Sequence, residues 1–433
     1  MARRKIFGIK IMSSPRPIVF MSFASPLSEA IRDKLEDMHN KVYAYFSAFS
    51  TDKGIVTKLE EIGEYPERTP LIALVLTGGT EKKIVETTKR NFYPIIIISH
   101  SSFNSLPAAL EAMAYLKKEG YRTRLAYAGS LKERELLEVV SLAQRIVTSM
   151  NVQGFRVGLI GGLSEWLVAS DVERGRLYEV LGGEIVDISM DELVREIKEG
   201  CGKNLFAYRD QIVKRCSANV EIGEIDKALA VYCALKRLIE KYRLDGFSLK
   251  CFDLISILDT TGCLALALLN SEGITAGCEG DMQTTITMLV AKRLTGAEVW
   301  MANPVEIDSE ENTITLAHCT ASLALKGRCI LKTHFESGKG VGVDIKLQKG
   351  PVTLVRFSGD LSSLLLLRGE VVASGMERED LCRTQVKVRL SEGRVEAFLE
   401  KAFGNHLVLV DGDYADVFKT FAEVYGIRVV KVA

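Results

Sequence analysis

The segment Gly273-Ile-Thr-Ala-Gly-Cys-Glu279-Gly-Asp281-Met-Gln-Thr-Thr-Ile-Thr-Met is the part of this chain best suited to chemistry, because a short strand delivers a carboxylate at its tip just before a helix begins. Asp281 is well placed to cap that helix, whereas Glu279 precedes the cap and, with Gly280 permitting close approach, points toward a crevice. Histidine is scarce: of five in the chain, His318 in Leu-Ala-His-Cys and His406 in Phe-Gly-Asn-His each sit beside β segments. Taken singly, Glu-Gly-Asp is also an ordinary helix start, and a lone histidine in such a place is also an ordinary structural residue. An earlier strand end carries His100 among Ser99, Ser101 and Asn104, where polar side chains suit a hydroxylated ligand or, equally, a turn in which Asn104 or Ser105 caps the next helix. Thr77-Gly78-Gly79-Thr80 and Gly161-Gly162 also fall at strand ends. Neither matches the dinucleotide or P-loop glycine pattern, so no nucleotide site is read.

Several elements must position these groups. From residue 17 to about 150, short apolar β-branched runs (18–23, 71–76, 94–99) alternate with helical patterns (from 81, and 106–120), the mark of a parallel sheet covered by helices. The outline is flavodoxin-like or Rossmann-like. Near Asn151-Val152-Gln153-Gly154 the pattern restarts, with strands over 156–160 and 184–188, a helix over 222–242, an extended run over 246–252, a helix over 262–273 and a strand over 274–278. After Trp300 the texture turns β-rich (313–317, 328–335, 341–347, 352–357, 386–390), as in an antiparallel β domain or barrel. The carboxyl end returns to helix, strand, helix, strand. The expected fold class is therefore α/β: two Rossmann/flavodoxin-like domains over 1–152 and 153–298, then a β-rich, barrel-like domain over 299–433.

Composition bounds the function. At 433 residues, the chain exceeds the ~250–300 at which single cores stop growing. Lys+Arg and Asp+Glu both number 56, so no excess positive field favours nucleic acid. Nine cysteines include no CxxC pair, which reads as reduced, mostly buried thiols with neither a disulfide framework nor a zinc ribbon. Residues 1–10 are basic but precede no apolar signal region, and no apolar run approaches the ~20 residues of a membrane span. A cytoplasmic protein with no membrane partner is expected.

Beyond these readings, Cys278-Glu279-Gly280-Asp281 followed by Thr-Met-Leu, Leu294-Thr295-Gly296, Trp300-Met301-Ala302-Asn303 and Ala317-His318-Cys319 resembles the core of the L-fucose and L-arabinose isomerase superfamily. Gly404-Asn405-His406, then Phe421-Ala422-Glu423 and Gly426-Ile427, resembles the superfamily's carboxyl-terminal unit. The resemblance runs from about Leu249 to the end; the first 150 residues share only α/β character. It implies a divalent cation, Mn2+ above others, held by Glu279, Asn303, His318 and His406, and an aldose–ketose isomerase acting on a monosaccharide through an enediol. Glu279 and Asp281 become the expected catalytic acids, with Asp253, Glu306 and Asp308 as alternatives for the second one, and His100, Asn104 and Asp253 the expected substrate contacts. It also implies a homo-oligomer, trimer or hexamer. The departure is Asn303, where the resemblance calls for an acid: an amide oxygen can still ligate a metal, but it cannot accept a proton at neutral pH. That change leaves room for a metal-dependent relative of altered chemistry, such as a lyase, an epimerase or a sensor.

Overall fold

Alternating apolar strands and amphipathic helices give the chain its architecture, described here in a computed structural model for residues 18–67 and 69–432. Residues 1–10, which entered the reading of localisation, lie outside the described residues. The chain divides near residue 152 into two compact units.

In the first unit, strands β1 (Val19–Phe23), β2 (Thr51–Val56), β3 (Thr69–Val75), β4 (Phe92–Ser99) and β5 (Thr123–Tyr127) alternate with helices α1 (Arg32–Tyr43), α2 (Glu81–Thr88), α3 (Ser105–Lys118) and α4 (Glu133–Met150). All strand pairs are parallel, in the order β2-β1-β3-β4-β5, the doubly wound order in which ligands meet carboxyl-terminal strand ends. Apolar runs such as Ile95–Ile98 are buried because helices cover the sheet. The flavodoxin-like expectation therefore holds.

The second unit opens with the same grammar. Strands β6 (Phe155–Ile160), β7 (Gly183–Ile188), β8 (Cys216–Ala218), β9 (Gly246–Leu249) and β10 (Thr275–Cys278) are interleaved with helices α5 (Arg174–Leu181), α6 (Met190–Lys198), α7 (Leu205–Arg215), α8 (Ile222–Tyr242), α9 (Phe252–Leu258), α10 (Cys263–Ser271) and α11 (Met282–Thr295). Four of these strands form a parallel sheet in the order β10-β9-β6-β7. The extended run expected over 246–252 stops at Leu249, because α9 begins at Phe252.

The β-rich end comprises β11 (Val299–Asp308), β12 (Thr313–His318), β13 (Gly327–Lys332), β14 (Gly342–Leu347), β15 (Gly350–Phe357), β16 (Ser363–Ser374), β17 (Thr384–Leu390), helix α12 (Glu396–Lys401), β18 (Leu407–Asp411), helix α13 (Ala415–Tyr425) and β19 (Arg428–Val430). Antiparallel pairing runs β15-β18-β11-β12-β17-β16 and closes back from β16 to β15, so this end is a closed antiparallel β-barrel. Sequence patterning missed β16, whose Ser-Leu-Leu-Leu-Leu opening lacks the alternation of a half-buried strand. Helix α11 packs on β9 and β10 as well as on β11, β15 and β18. Residues 153–298 and 299–432 accordingly share one compact unit. Among the described residues, no helix is long and apolar enough to cross a membrane.

The expectation of nine reduced thiols is corrected. Cys201 is disulfide-bonded to Cys233, 32 residues on, and Cys216 to Cys329, 113 residues on. Such separations leave no local signature; Cys216 and Cys329 meet because β8 and β13 pair in parallel with these two residues opposite each other. Disulfides persist mainly in oxidising compartments, a condition that the cytoplasmic expectation did not include. Closing so long a loop constrains the unfolded chain, and replacing Cys216 and Cys329 by Ser is expected to lower unfolding free energy by about 2–5 kcal/mol. Equilibrium denaturation checks this, and an unchanged midpoint would show that the bond is not formed in solution.

Candidate metal centre and active site

The geometry of the centre begins with a sharp turn. Glu279 leaves the tip of β10 at φ 62°, a left-handed conformation that costs a side-chain-bearing residue about 1–3 kcal/mol and concentrates at functional sites. Gly280 follows at φ 72°, and a Cβ there would stand 2.4 Å from the carbonyl oxygen of Gly162. Only glycine fits, because the loop after β6 crosses the turn, with the Ser164 amide donating to the Glu279 carbonyl at 3.3 Å. The turn swings the Glu279 side chain into a cavity of about 420 Å³ whose wall also includes Asn303, His318 and Trp166.

The barrel supplies the other candidate residues through its register. Asn303 on β11 lies opposite Ala317 of β12, one residue before His318, while the neighbouring Ala302 lies opposite Leu407 of β18, one residue after His406. Three adjacent strands thereby bring Asn303, His318 and His406 to the same barrel end.

There, His318 Nε2 and His406 Nε2 each stand 3.6 Å from Glu279 Oε1, beyond the ~2.7–3.2 Å of an N–H···O hydrogen bond. The donor atoms of Glu279, His318 and His406 all lie within 4.8 Å of one another. A cation making bonds of roughly 2.0–2.2 Å spans that gap after a shift of a few tenths of an ångström. Two further observations fit a cation. His406 Nε2 is buried and finds no hydrogen-bond partner among the described residues, and each imidazole has its other nitrogen engaged. His318 Nδ1 is 2.9 Å from Thr320 Oγ1, and His406 Nδ1 is 2.8 Å from Asp281 Oδ2. Such partners fix a ring's orientation and leave Nε2 free to ligate. The remaining Glu279 oxygen accepts from Trp166 Nε1 at 3.2 Å.

Asp281 behaves otherwise than expected of a proton carrier. It is fully buried and caps α11, accepting from the Thr284 amide at 2.7 Å and the Thr284 hydroxyl at 2.7 Å, while Oδ2 also meets His406 and, at 3.3 Å, Arg356. Both oxygens that the expected catalytic role would use are thus occupied, and Asp281 does not line the cavity that holds Glu279. Arg356 is itself buried and also donates to the His406 carbonyl oxygen at 2.6 Å and to Thr284 Oγ1 at 2.6 Å. A Cβ at Gly404 would fall 2.4 Å from its guanidinium, so glycine at 404 makes room for the charge behind His406.

Electrostatics follow from this packing. Burial alone raises the Glu279 carboxyl, but the two imidazoles override it and hold it well below the usual carboxylate range. Burial alone lowers His406, and the Asp281 and Glu279 carboxylates more than compensate, lifting it to about 9.

Of the other expected residues, Asp253, Glu306 and Asp308 have partners of their own, and His100 and Asn104 belong to the first unit. Asp253 faces Lys250, with Oδ2 at 3.6 Å from Nζ, and stays off the cavity wall that its neighbour Phe252 joins. Glu306 pairs with Arg378 at 2.6 Å, and Asp308 accepts from the Glu310 and Glu311 amides. In the first unit, the His100 imidazole is buried and pushed below its ordinary value by desolvation, with Nδ1 accepting from the Ser102 amide at 3.2 Å. Asn104 adopts a left-handed conformation at the head of α3 without capping it, its Cβ pressed against Gly78. Sequence reasoning missed Trp166, Thr320 and Arg356. Only Trp166 left a trace, as one of two tryptophans, just past the Gly161-Gly162 strand end.

No protein-family model matches the chain. It is similar to proteins named sulfoquinovose isomerase. That of Alkalicoccus urumqiensis is 19% identical over 440 residues, covering 96% of this chain and 98% of the relative. That of Priestia megaterium is 23% identical over 299 residues, covering 66% of each chain. That of a Clostridium species is 26% identical over 225 residues, covering 46% and 48%. These comparisons support a sugar isomerase.

Two outcomes are expected from the buried pair and the raised imidazole. Asp281→Asn removes the charge facing Arg356 and should destabilise the fold by about 3–5 kcal/mol, while weakening Mn2+ binding roughly 10- to 100-fold. Denaturation and calorimetry measure both, and wild-type affinity in a folded variant would deny Asp281 its positioning role. Because His406 sits at about 9, above its ordinary 6.5, its contribution to metal-free stability is complete below pH 6.5 and is lost as pH rises through 9. A cation must displace that proton, so Mn2+ affinity should climb between those two pH values with a proton released on binding. A flat profile in calorimetry would contradict the assignment of His406 as a ligand.

Proposed function

We propose that this chain is a divalent-metal-dependent aldose–ketose isomerase of the L-fucose/L-arabinose isomerase superfamily, acting on a sulfonated aldose of the sulfoquinovose type. The observation that carries the reading is the convergence of one carboxylate and two imidazoles, one with an unpartnered buried Nε2, to within 4.8 Å of one another. Similarity along nearly the whole chain to proteins named sulfoquinovose isomerase supports it independently. Hard carboxylate and imidazole donors suit Mn2+, which when bound supplies Lewis-acid polarisation of a carbonyl and chelation of neighbouring sugar oxygens.

The chain's own residues account for the rest. Glu279, ionised at neutral pH, accepts the proton from the carbon beside the carbonyl, and Trp166 orients its carboxylate for that transfer. Moving the proton through an enediol calls for a second group to exchange hydroxyl protons. Asn303 cannot serve, since an amide accepts no proton at neutral pH. Glu336 is the other carboxylate on the cavity wall, and in this reading it takes that part. Aromatic faces of Trp166, Phe252 and Phe335 on the same wall suit the apolar face of a sugar ring. The resemblance adds a homo-oligomeric assembly, trimer or hexamer.

The amide at 303 also favours a second reading, in which the metal is kept but the chemistry is that of an epimerase, a lyase or a sensor. Purified protein loaded with Mn2+ and offered sulfoquinovose and a panel of unsubstituted aldoses separates the two. The expected result is ketose formation with loss of deuterium from the carbon next to the carbonyl, falling by roughly 10²- to 10⁴-fold in Glu279→Gln. Deuterium loss without ketose favours the second reading, and neither product nor exchange leaves a binding protein.

A further inference from the structure

Four of the nine cysteines are locked in the two disulfides, and the other five, Cys251, Cys263, Cys278, Cys319 and Cys382, all line the cavity that holds Glu279 and His318. Cys251 and Cys278 form one close pair among them. Cys278 is the last residue of β10, and its ladder partner Leu249 ends β9, two residues before Cys251. Their sulfurs lie 2.9 Å apart, so less than about 1 Å of movement separates them from the ~2.05 Å of a disulfide. Apolar packing of small side chains explains why the thiols are buried, since free cysteine behaves as a small hydrophobe. It does not explain why two sulfurs approach more closely than ordinary side-chain contact, nor why every free cysteine faces one cavity.

We propose that Cys251 and Cys278 form a reversible thiol–disulfide pair in the wall of the candidate active site, closed by a peroxide entering the cavity and reopened by a dithiol reductant. In the first step one cysteine sulfur attacks a peroxide oxygen, the O–O bond breaks, water departs and a sulfenic acid forms. The second sulfur then attacks the sulfenyl sulfur, the S–O bond breaks and a second water leaves. The balance is two thiols and one hydrogen peroxide giving one disulfide and two waters; a dithiol returns two electrons and two protons by exchange. Cys278 immediately precedes Glu279, whose left-handed backbone sets the direction of the carboxylate. Drawing the Cys278 side chain toward β9 therefore shifts Glu279 against the two imidazoles, and misplacement of order 1 Å costs up to ~10²-fold in rate. The loss of turnover rests on the isomerase reading; formation of the bond does not.

The test uses the full chain with its two structural disulfides intact and the remaining thiols reduced. The protein is treated with hydrogen peroxide, quenched with an alkylating agent and mapped by peptide mass spectrometry, while Mn2+ binding is followed by calorimetry before oxidation, after it and after dithiothreitol. The expected result is a cross-link between the peptides carrying Cys251 and Cys278, with Mn2+ affinity reduced roughly 10- to 100-fold and restored by the dithiol. Cys251→Ser should form no such cross-link and should keep its Mn2+ affinity through the same treatment. Oxidation confined to Cys263, Cys319 or Cys382, with Cys251 and Cys278 still alkylated, overturns the proposal. A cross-link that leaves Mn2+ affinity unchanged overturns its coupling to the site. A cross-link in a protein that binds no Mn2+ in either state defeats the metal reading while leaving the thiol pair standing.

Discussion

Arg356 is a guanidinium with no access to water, and a charge so placed is tolerated only where other groups meet it. Asp281 supplies the opposite charge; Thr284 and the His406 carbonyl supply hydrogen-bond acceptors. Each of those partners also has a structural task. Asp281 caps α11 and holds His406 Nδ1, and Thr284 belongs to the first turn of that helix. The orientation of the His406 imidazole, the start of the helix and the packing of the barrel against the parallel sheet are thus a single electrostatic arrangement.

This coupling gives α11 its unusual composition. A helix buried between two layers would ordinarily be apolar on all sides, yet Thr284, Thr285, Thr287 and Gln283 are buried along it. Their polar atoms are satisfied locally or across the interface: Thr285 donates to the Asp281 carbonyl at 2.6 Å, and the Phe357 amide donates to Thr287 at 3.2 Å. Polar residues inside the helix register the barrel against the sheet, and the Glu279 turn immediately before the helix inherits that register. A carboxylate delivered from one sheet can then face imidazoles delivered from another with ångström-scale consistency.

Sulfur chemistry divides along the same lines. The disulfides tie α8 to the loop before α7, and β8 to β13, away from the cavity, whereas the free thiols gather on its wall. Small, polarizable side chains suit the crowded tips of β9 and β10, where Gly277 has no room for a Cβ beside Thr285.

Periodicity and turn chemistry, which act over a few residues, were legible in the chain itself. The parallel strands, the 21-residue helix Ile222–Tyr242, the capping of α11 by Asp281 and the projection of Glu279 past that cap all follow from local pattern. Glu279, His318 and His406 could be singled out through resemblance, although nothing local said that they meet. Barrel closure, the pairing that aligns residues 303, 318 and 406, both disulfides and the choice of Arg356 as the buried counter-charge depend on contacts between residues far apart in sequence. Asp281 shows the division within one side chain: its role as a helix cap was readable from its neighbours, but its withdrawal from the cavity was decided by a guanidinium 75 residues away.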